Sequence, residues 1–374
     1  MSERRITIST STLLWVGIVG LLAILLWQLQ GLLLVLAIAV VIASTLAPVI
    51  QRAQRWGIPR WLAVFLVYIG LIAGLIGVGS IVGVPAIDQI QRLIRNLPGY
   101  LDVLESLTED LVMRTGTIDP VTLEQIRQFF DLQAIATWAF RSSQQLLIRS
   151  YSVTRGLLGG AFSVILALLL SIYMLIGSEQ LVQGILRLFP SPWNERLAAQ
   201  VQPMGQRMGG YIQGRILVST ILAVVISIGL NFLGLSEFSL GLGAIAGLTN
   251  LIPFFGPVLG SIPALIVAIA QGGWTFLWVL LLFLMIQNLE TYLLDPLLVG
   301  STVRIPPLYQ LLAVLGGAQV LGIIGALIVP PWVAGISVLL ENLYLKPKLQ
   351  AELEEGDICD DVGTRGRGDA VRNS

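Results

Sequence analysis

Residues 242–263 read LGAIAGLTNLIPFFGPVLGSIP, an apolar stretch that is interrupted by Asn250, Pro253, Gly256 and Pro257. A proline removes a backbone donor and clashes with the preceding helical turn, so a helix through this stretch is expected to break. The carbonyl groups freed by such a break need hydrogen-bond partners, and inside a bilayer only protein or a water-filled cavity supplies them. The stretch therefore predicts an interrupted membrane helix and a candidate permeation site.

The composition is that of an integral membrane protein. The 374 residues are 55% hydrophobic and only 12% charged, whereas a soluble domain carries about 25% charged residues. The formal net charge is zero and no nucleic-acid-binding motif occurs, so nucleic acid is not an expected partner.

Several kinds of chemistry are excluded by side chains that the sequence lacks. There is no histidine, and therefore no serine hydrolase triad, imidazole zinc site or histidine proton relay. No lysine precedes Lys346, and the Walker sequence G-x-x-x-x-G-K-[ST] is absent. The one cysteine, Cys359, has no partner for an intramolecular disulfide. We expect no enzymatic activity, no cofactor and no metal site.

Apolar runs of about 20 residues, enough to cross the hydrocarbon core, recur along the chain. They predict an all-α, polytopic transmembrane bundle of about eight spans, with three spans in residues 1–84 and five in residues 156–345. The predicted spans are 12–28, 31–50, 60–84, 156–177, 214–234, 239–271, 273–291 and 308–329.

Basic residues concentrate in loops on one side of this predicted bundle. By the positive-inside rule that side is cytoplasmic, and an even number of spans then places both termini in the cytoplasm. We expect a multi-pass protein of the plasma or inner membrane. The residues concerned are Arg4, Arg5, Arg52, Arg55, Arg60, Arg187, Arg196, Arg207, Lys346 and Lys348.

Three segments outside the spans differ in character. Residues 85–155 hold balanced charges with apolar residues at helical spacing, which predicts a helical extracytoplasmic insertion. Residues 191–212 predict a cytoplasmic amphipathic helix that either lies at the bilayer interface or packs against the bundle. Residues 346–374 offer few apolar groups to bury, so we expect a disordered cytoplasmic tail.

Ionisable groups inside apolar spans are costly, and they usually face a cavity or a partner. Gln287, Asn288 and Glu290 lie near the predicted outer end of the seventh span, and Asp295 follows them. This corner could bind a cation or exchange a proton. Alternatively, Glu290 reaches the outer interface or caps a neighbouring helix.

Polar residues also mark the fifth span and the interrupted helix. Gln213 and Arg215 lie at the predicted inner end of the fifth span, where Arg215 either meets an anionic ligand or lipid headgroup or simply extends to the interface. Asn250 either bonds a carbonyl freed by Pro253 or coordinates a solute directly. The candidate substrate or ion pathway comprises Asn250, Pro253, Gly256, Pro257, Gln287, Asn288, Glu290, Asp295, Gln213 and Arg215.

Small residues at four-residue spacing indicate close helix packing rather than nucleotide binding, because no alternation of strands and helices surrounds them. The pairs are Gly70 and Gly74, Gly79 and Gly83, and Gly243 and Gly247. A second small-residue-rich stretch, LGGAQVLGIIGALIVPP at 315–331, is expected to break near 329–331, and residues 332–345 to form a partly buried or interfacial extension. Two interrupted segments are a pointer to a transporter site.

The chain resembles the autoinducer-2 exporter family of membrane transporters over nearly its whole length. The resemblance rests on Asn-x-Ile-Pro-aromatic-x-Gly-Pro at 250–257, then Gln-x-x-Glu at 287–290 and Pro296. Further matching positions are Pro48, Arg52, Ile58, Pro59, Gly214, Gly300, Gly316, Gly317, Gly322, Gly325 and Pro330. The resemblance implies about eight spans, a soluble insertion between the third and fourth, oligomeric assembly and, in some members, export of a small signalling molecule. Other members resemble sodium- or lithium-proton antiporters.

Two positions depart from the family pattern. Arg215 stands where relatives often carry an amide, and Ile305 stands where relatives often carry a histidine before the proline that is here Pro306. If proton coupling in the family uses that histidine, it falls here to Glu290 or Asp295.

The leading hypothesis is a secondary transporter or exporter, working without ATP hydrolysis, for a small signalling molecule or a monovalent cation. It would act in the lipid bilayer as a homo-oligomer. One alternative is an oligomeric passive channel, which saturable and gradient-coupled flux would exclude. Another is an envelope scaffold that binds a partner through residues 85–155.

Overall fold

The computed structural model describes residues 28–115, 150–300 and 306–350, together with positions 21, 24, 25 and 352. Most of the predicted span 12–28, residues 116–149 of the insertion and nearly all of the tail beyond 350 lie outside the described residues. Within the described residues the chain forms helices and no strand. The all-α class is therefore confirmed.

Except across residues 116–149 and 301–305, the described helices follow one another with short connections. In chain order they are α1 (Gln30–Arg55), α2 (Arg60–Val78), α3 (Val84–Thr115), α4 (Ser150–Ile176), α5 (Ser178–Leu186), α6 (Trp193–Phe232), α7 (Ser239–Thr249), α8 (Phe255–Gln271), α9 (Gly273–Leu289) and α10 (Pro307–Leu340). Three π-helical segments continue them: Gly79–Gly83 joins α2 to α3, Glu290–Val299 extends α9, and Glu341–Leu345 extends α10.

Judged by length and composition alone, five helices in the described part of the chain could cross a membrane. They are α1, α2 continued into α3, α6, α9 with its π segment, and α10 with its extension. The part of α4 from Phe162 and α5 are bent by 83° to each other, and they make a sixth if the pair counts as one span. The protein is thus a multi-pass membrane protein, and the predicted count of eight spans is approximate.

Helix α6 is the element on which the others assemble. Its 40 residues extend about 60 Å, roughly twice the thickness of the hydrocarbon core. Residues 193–212, within the predicted amphipathic segment, continue without a break into the predicted fifth span. Helices α1, α7 and α10 and the π segment after α9 all pack against α6.

The two largest of four apolar clusters among the described residues hold most of the bundle together. The larger joins α6, α7, α8 and α9 and includes Leu222, Phe238 and Val267, each at most 2% exposed. The other joins α1, α2 and α4 around Val64 and Tyr68, whose hydroxyl bonds the hydroxyl of Ser171 at 2.5 Å. α6 therefore lies between two packed groups of helices, and the larger cluster surrounds its second half.

The break predicted at 250–257 is present. However, residues 239–271 do not form the single interrupted span that was predicted. Helix α7 has 11 residues and α8 has 17, so each is shorter than the roughly 30 Å hydrocarbon core. Between them Phe254 has a positive φ of 66°. A Cβ on Gly260 of α8 would lie 2.7 Å from the Cα of Ala246 in α7. The chain therefore turns back on itself, and residues 239–271 form a first hairpin.

The break predicted at 329–331 is misplaced. Helix α10 continues through Pro330 and Pro331, and its non-helical residue is Gly322, at φ 66° and ψ −151°. Only glycine adopts this backbone conformation readily, because it has no Cβ. A Cβ on Gly317 would lie 2.7 Å from the carbonyl carbon of Gly325, so the two halves of α10 touch.

The ends of α10 show that it too reverses direction. The amide of Gln310 donates to the hydroxyl of Tyr211 at 3.2 Å, and Arg207 pairs with Glu341 at 2.9 Å. Tyr211 and Arg207 lie on adjacent turns of α6, so their partners Gln310 and Glu341 must lie close together. A straight helix from 310 to 341 would instead separate them by about 45 Å. Residues 307–340 therefore form a second hairpin. The helix then continues to Gln350, so the predicted disorder does not begin at Lys346.

Candidate functional site

A buried ion pair joins α6 to the end of α9. The Nη1 of Arg215 donates to the Oε1 of Glu290 at 3.0 Å, and the two side chains are 5% and 4% exposed. The sequence predicted Arg215 at the inner end of the fifth span and Glu290 near the outer end of the seventh, on opposite sides of the bilayer. Their contact shows that this placement is wrong. Because the first hairpin returns to the end where it starts, α9 runs antiparallel to α6 and brings Glu290 beside Arg215.

Asn250, at the tip of the first hairpin, bonds both members of this pair. Its Oδ1 accepts from Nη2 of Arg215 at 3.3 Å, and its Nδ2 donates to Oε1 of Glu290 at 3.1 Å. Asn250 is 2% exposed and follows the last residue of α7. The amide of Asn250 therefore bonds the side chains of Arg215 and Glu290, and these bonds do not involve a carbonyl freed by Pro253.

Asp295 completes the cluster from the π segment. Its Oδ1 lies 3.4 Å from Nη1 of Arg215, and its side chain is 42% exposed. Gly214 lets this segment approach α6, since a Cβ there would lie 2.7 Å from the carbonyl oxygen of Leu298. The cluster thus pairs two carboxylates with one guanidinium, and the carboxylate of Asp295 is the more exposed of the two.

A cleft of about 200 Å³ opens beside the cluster. Asn250, Gln287 and Glu290 line it together with Pro257 of the first hairpin. Most of the remaining wall is apolar and comes from α6, α8 and α9, with the hydroxyl of Ser261 as an exception. The cleft therefore combines a polar end with an apolar body, as small-molecule sites commonly do.

The other predicted pathway residues lie apart from the buried cluster. Gln213 is exposed and donates to the carbonyl of Thr45 in α1, while Asn288 is exposed and donates to the carbonyl of Leu284 in its own helix. Pro253 and Gly256 are buried at the turn of the first hairpin. They shape the tip that carries Asn250.

Two residues beside the cluster were missed by the sequence analysis. Tyr211 and Ser219 stand one helical turn before and one turn after Arg215, and they are 3% and 4% exposed. The spacing of three polar side chains at four-residue steps on one face of a span was the available signal. Among the described residues no group of three His, Cys, Asp or Glu side chains could hold a metal ion.

A multi-pass helical fold with interrupted hairpins and a buried polar cluster beside a cleft is the architecture of a membrane transporter. The sequence profile of the AI-2E transporter family matches residues 15–345, and the chain belongs to this family. The resemblance seen in the sequence is thereby confirmed.

Individual relatives agree with this assignment. The chain is 30% identical over 306 residues to "Putative transport protein YrrI" of Bacillus subtilis (strain 168), covering 82% of this chain and 84% of YrrI. It is 27% identical over 311 residues to "AI-2 transport protein TqsA" of Escherichia coli (strain K12), covering 82% of this chain and 84% of TqsA. Each alignment spans most of both proteins, so the similarity extends over the bundle as a whole.

Proposed function

We propose that this protein is a secondary transporter or exporter of a small solute, working without ATP hydrolysis, whose site is the cleft beside Asn250 and Glu290. One observation carries the proposal: Asn250 at the hairpin tip bonds both members of the buried Arg215–Glu290 pair and also lines the cleft. A solute in the cleft therefore contacts the same groups that hold the hairpin in place.

Exchange of hydrogen bonds supplies a mechanism for alternating access. A solute that bonds Asn250 or Glu290 replaces a bond to Arg215, and each such bond contributes about 1.5–3 kcal/mol because the guanidinium is charged. The 3.3 Å contact between Asn250 and Arg215 is already longer than the usual range. Solute binding thus weakens the attachment of the first hairpin to α6, and the rearrangement is centred on residues 250–257.

The class of solute follows from the cleft and from the family. A space of about 200 Å³ suits a small molecule, and the carboxylates of Glu290 and Asp295 also suit a monovalent cation. The name of TqsA adds a signalling molecule, AI-2, as a candidate. We further propose that the protein works as a homo-oligomer in the plasma or inner membrane with both termini in the cytoplasm.

Flux into proteoliposomes tests the site. Labelled AI-2 and ²²Na⁺ serve as probes, and we expect saturable, gradient-coupled uptake of at least one of them. Glu290→Gln and Asn250→Ala should lower the rate about tenfold, the effect of roughly 1.4 kcal/mol. Asn288→Ala is the matched control, because this exposed amide bonds only its own helix.

Two results would overturn the proposal. Wild-type rates in both site variants would show that the cleft is not the pathway. Flux that rises linearly with solute concentration and ignores the gradient would indicate a passive channel instead. Thermal unfolding of each variant establishes that a lost rate reflects the site and not a misfolded protein.

A further inference from the structure

Two buried donors on α6 have no hydrogen-bond partner among the described residues. Arg215 uses its Nη1 and Nη2 atoms in the cluster, but its Nε–H bonds to nothing, and the hydroxyl of Ser219 is also unpartnered. Both residues are 4% exposed. Buried polar groups in native proteins are nearly always satisfied, and an apparent exception commonly marks the place of an ordered water or a ligand.

Ser219 differs from the other hydroxyl residues of α6. Thr220 donates to the carbonyl of Ile216 at 2.8 Å, and Ser227 donates to the carbonyl of Ala223 at 2.8 Å. This bond to the preceding turn is the usual way in which a helix satisfies such a side chain. Ser219 does not make it, so its hydroxyl is available to a group outside the helix.

Both unpartnered atoms belong to the face of α6 that lines the cleft one turn further along. Arg215, Ser219, Leu222 and Ile226 recur at helical spacing and share one face of α6. Leu222 and Ile226 line the apolar part of the cleft, and Glu290, which pairs with Arg215, lines its polar part. Within about three turns, this face of α6 therefore carries the apolar side chains of Ile226 and Leu222, then the hydroxyl of Ser219 and then the guanidinium of Arg215.

The charges around these atoms restrict what can bind them. A cation offers no lone pair to the Nε–H of Arg215, so it cannot satisfy this donor. Glu290 and Asp295 together outweigh that guanidinium, so the cluster carries an excess of negative charge that repels an anion. An uncharged oxygen avoids both difficulties, and its two lone pairs suit two donors.

We propose that Arg215 Nε and Ser219 Oγ form a subsite for a neutral oxygen. Building on the proposed transport function, the solute is an uncharged molecule with a small apolar body and a hydroxyl or carbonyl oxygen at one end. The apolar wall around Leu222 and Ile226 takes the body, and the subsite takes the oxygen. When no solute is bound, a water molecule supplies the same oxygen.

Binding of a charge-matched probe series tests the solute class. The full-length protein in nanodiscs is titrated with butyramide, butyrate and butylammonium, and binding is followed by saturation-transfer NMR. We expect butyramide to bind about tenfold more tightly than either ion, and Ser219→Ala to weaken it about fivefold, the effect of one neutral hydrogen bond. Ser227→Ala is the control and should leave the affinity unchanged, because that hydroxyl is already bonded within α6.

Thermal unfolding without any probe tests whether a water molecule occupies the subsite. If an oxygen bridges the two donors, Ser219→Ala removes one of its partners and lowers Tm relative to Ser227→Ala. If the site is dry, removal of an unsatisfied hydroxyl raises Tm. A lower Tm without butyramide binding would support the bound water and overturn the solute class.

An unchanged or higher Tm, with butyramide binding unaffected by Ser219→Ala, would overturn the subsite altogether. Tighter binding of butyrate or butylammonium would overturn the charge argument. None of these readouts is a flux. Wild-type flux in the Glu290→Gln and Asn250→Ala variants would therefore remove the proposed transport site while leaving the oxygen subsite to be judged on its own.

Discussion

Arg215 and Glu290 are 75 positions apart in the sequence, yet their side chains meet at 3.0 Å in the interior of the bundle. An isolated charge in this setting would be costly, and each of these two is tolerated because the other is present. The pair also fixes how α9 sits against α6, and it offers Asn250 both a donor and an acceptor. One contact thus links the helix packing, the tip of the first hairpin and the cleft.

Removal of one partner should destabilise the protein strongly. Glu290→Ala leaves the guanidinium with only the more exposed Asp295 as an anionic neighbour, and we expect a loss of about 3–5 kcal/mol. Glu290→Gln should cost less, because its amide oxygen can still accept from Arg215. Unfolding of the purified protein in detergent measures both values.

The exposed pair of Arg60 and Glu179 is the control for that measurement. Its atoms lie 3.2 Å apart, but the side chain of Glu179 is 82% exposed. Glu179→Ala should cost about 1 kcal/mol or less, since solvent screens such pairs. Equal losses at Glu290 and Glu179 would contradict the view that the buried pair is decisive.

Glycine substitutions should separate packed from unpacked positions. A Cβ on Gly243 would lie 2.7 Å from the carbonyl oxygen of Ala223 in α6, whereas a Cβ on Gly70 would meet no described atom within 4 Å. Gly243→Ala should therefore destabilise by about 1–3 kcal/mol, as overpacking does. Gly70→Ala should be neutral or stabilising by up to about 1 kcal/mol, because alanine favours the helix. Denaturation midpoints of the two variants measure this difference in stability.

A charge exchange tests how the second hairpin is attached. Arg207 contacts Glu341 through both carboxylate oxygens and also donates to the hydroxyl of Ser337 at 3.0 Å. Arg207→Glu should lower stability, and the double variant with Glu341→Arg should recover about 1 kcal/mol of the loss. A double-mutant cycle on Tm or on denaturant midpoints measures that coupling. Strict additivity of the two single changes would show that the contact does not hold the hairpin.

The sequence was sufficient to predict the membrane class, the break around Pro253 and the individual polar residues. It was not sufficient to bring Arg215 and Glu290 together. The apolar run 239–271 is long enough for one span, and hydrophobicity alone does not say whether a chain crosses the bilayer or turns back within it. Reading one span instead of a hairpin reversed the direction of α9, and so placed Glu290 at the wrong end.

The second hairpin shows the same difficulty at a single residue. Pro330 and Pro331 are strong breaking signals, yet α10 passes through both. A membrane helix tolerates proline where neighbouring groups satisfy the freed carbonyls. The actual turn is at Gly322, whose backbone conformation needs a residue without a Cβ. Since several glycines precede and follow it, the sequence did not single it out.

Chemical labelling tests the topology that these hairpins impose. In a Cys359→Ser background, single cysteines replace Glu237 before the first hairpin, Trp274 after it, and Trp56 between α1 and α2. Trp274 and Trp56 are 79% and 84% exposed. We expect a membrane-impermeant maleimide to label positions 237 and 274 from the same side of sealed vesicles, and position 56 from the other side.

The reason is that α7 and α8 are each too short to cross the hydrocarbon core and pack against one another. A hairpin of that kind returns the chain to the face from which it started. If residues 239–271 crossed the bilayer once, position 274 would instead share its side with position 56. Glu290 would then lie at the opposite end of the bundle from Arg215, and the buried pair could not form. Labelling of position 274 thus tests the cluster through the connection that assembles it.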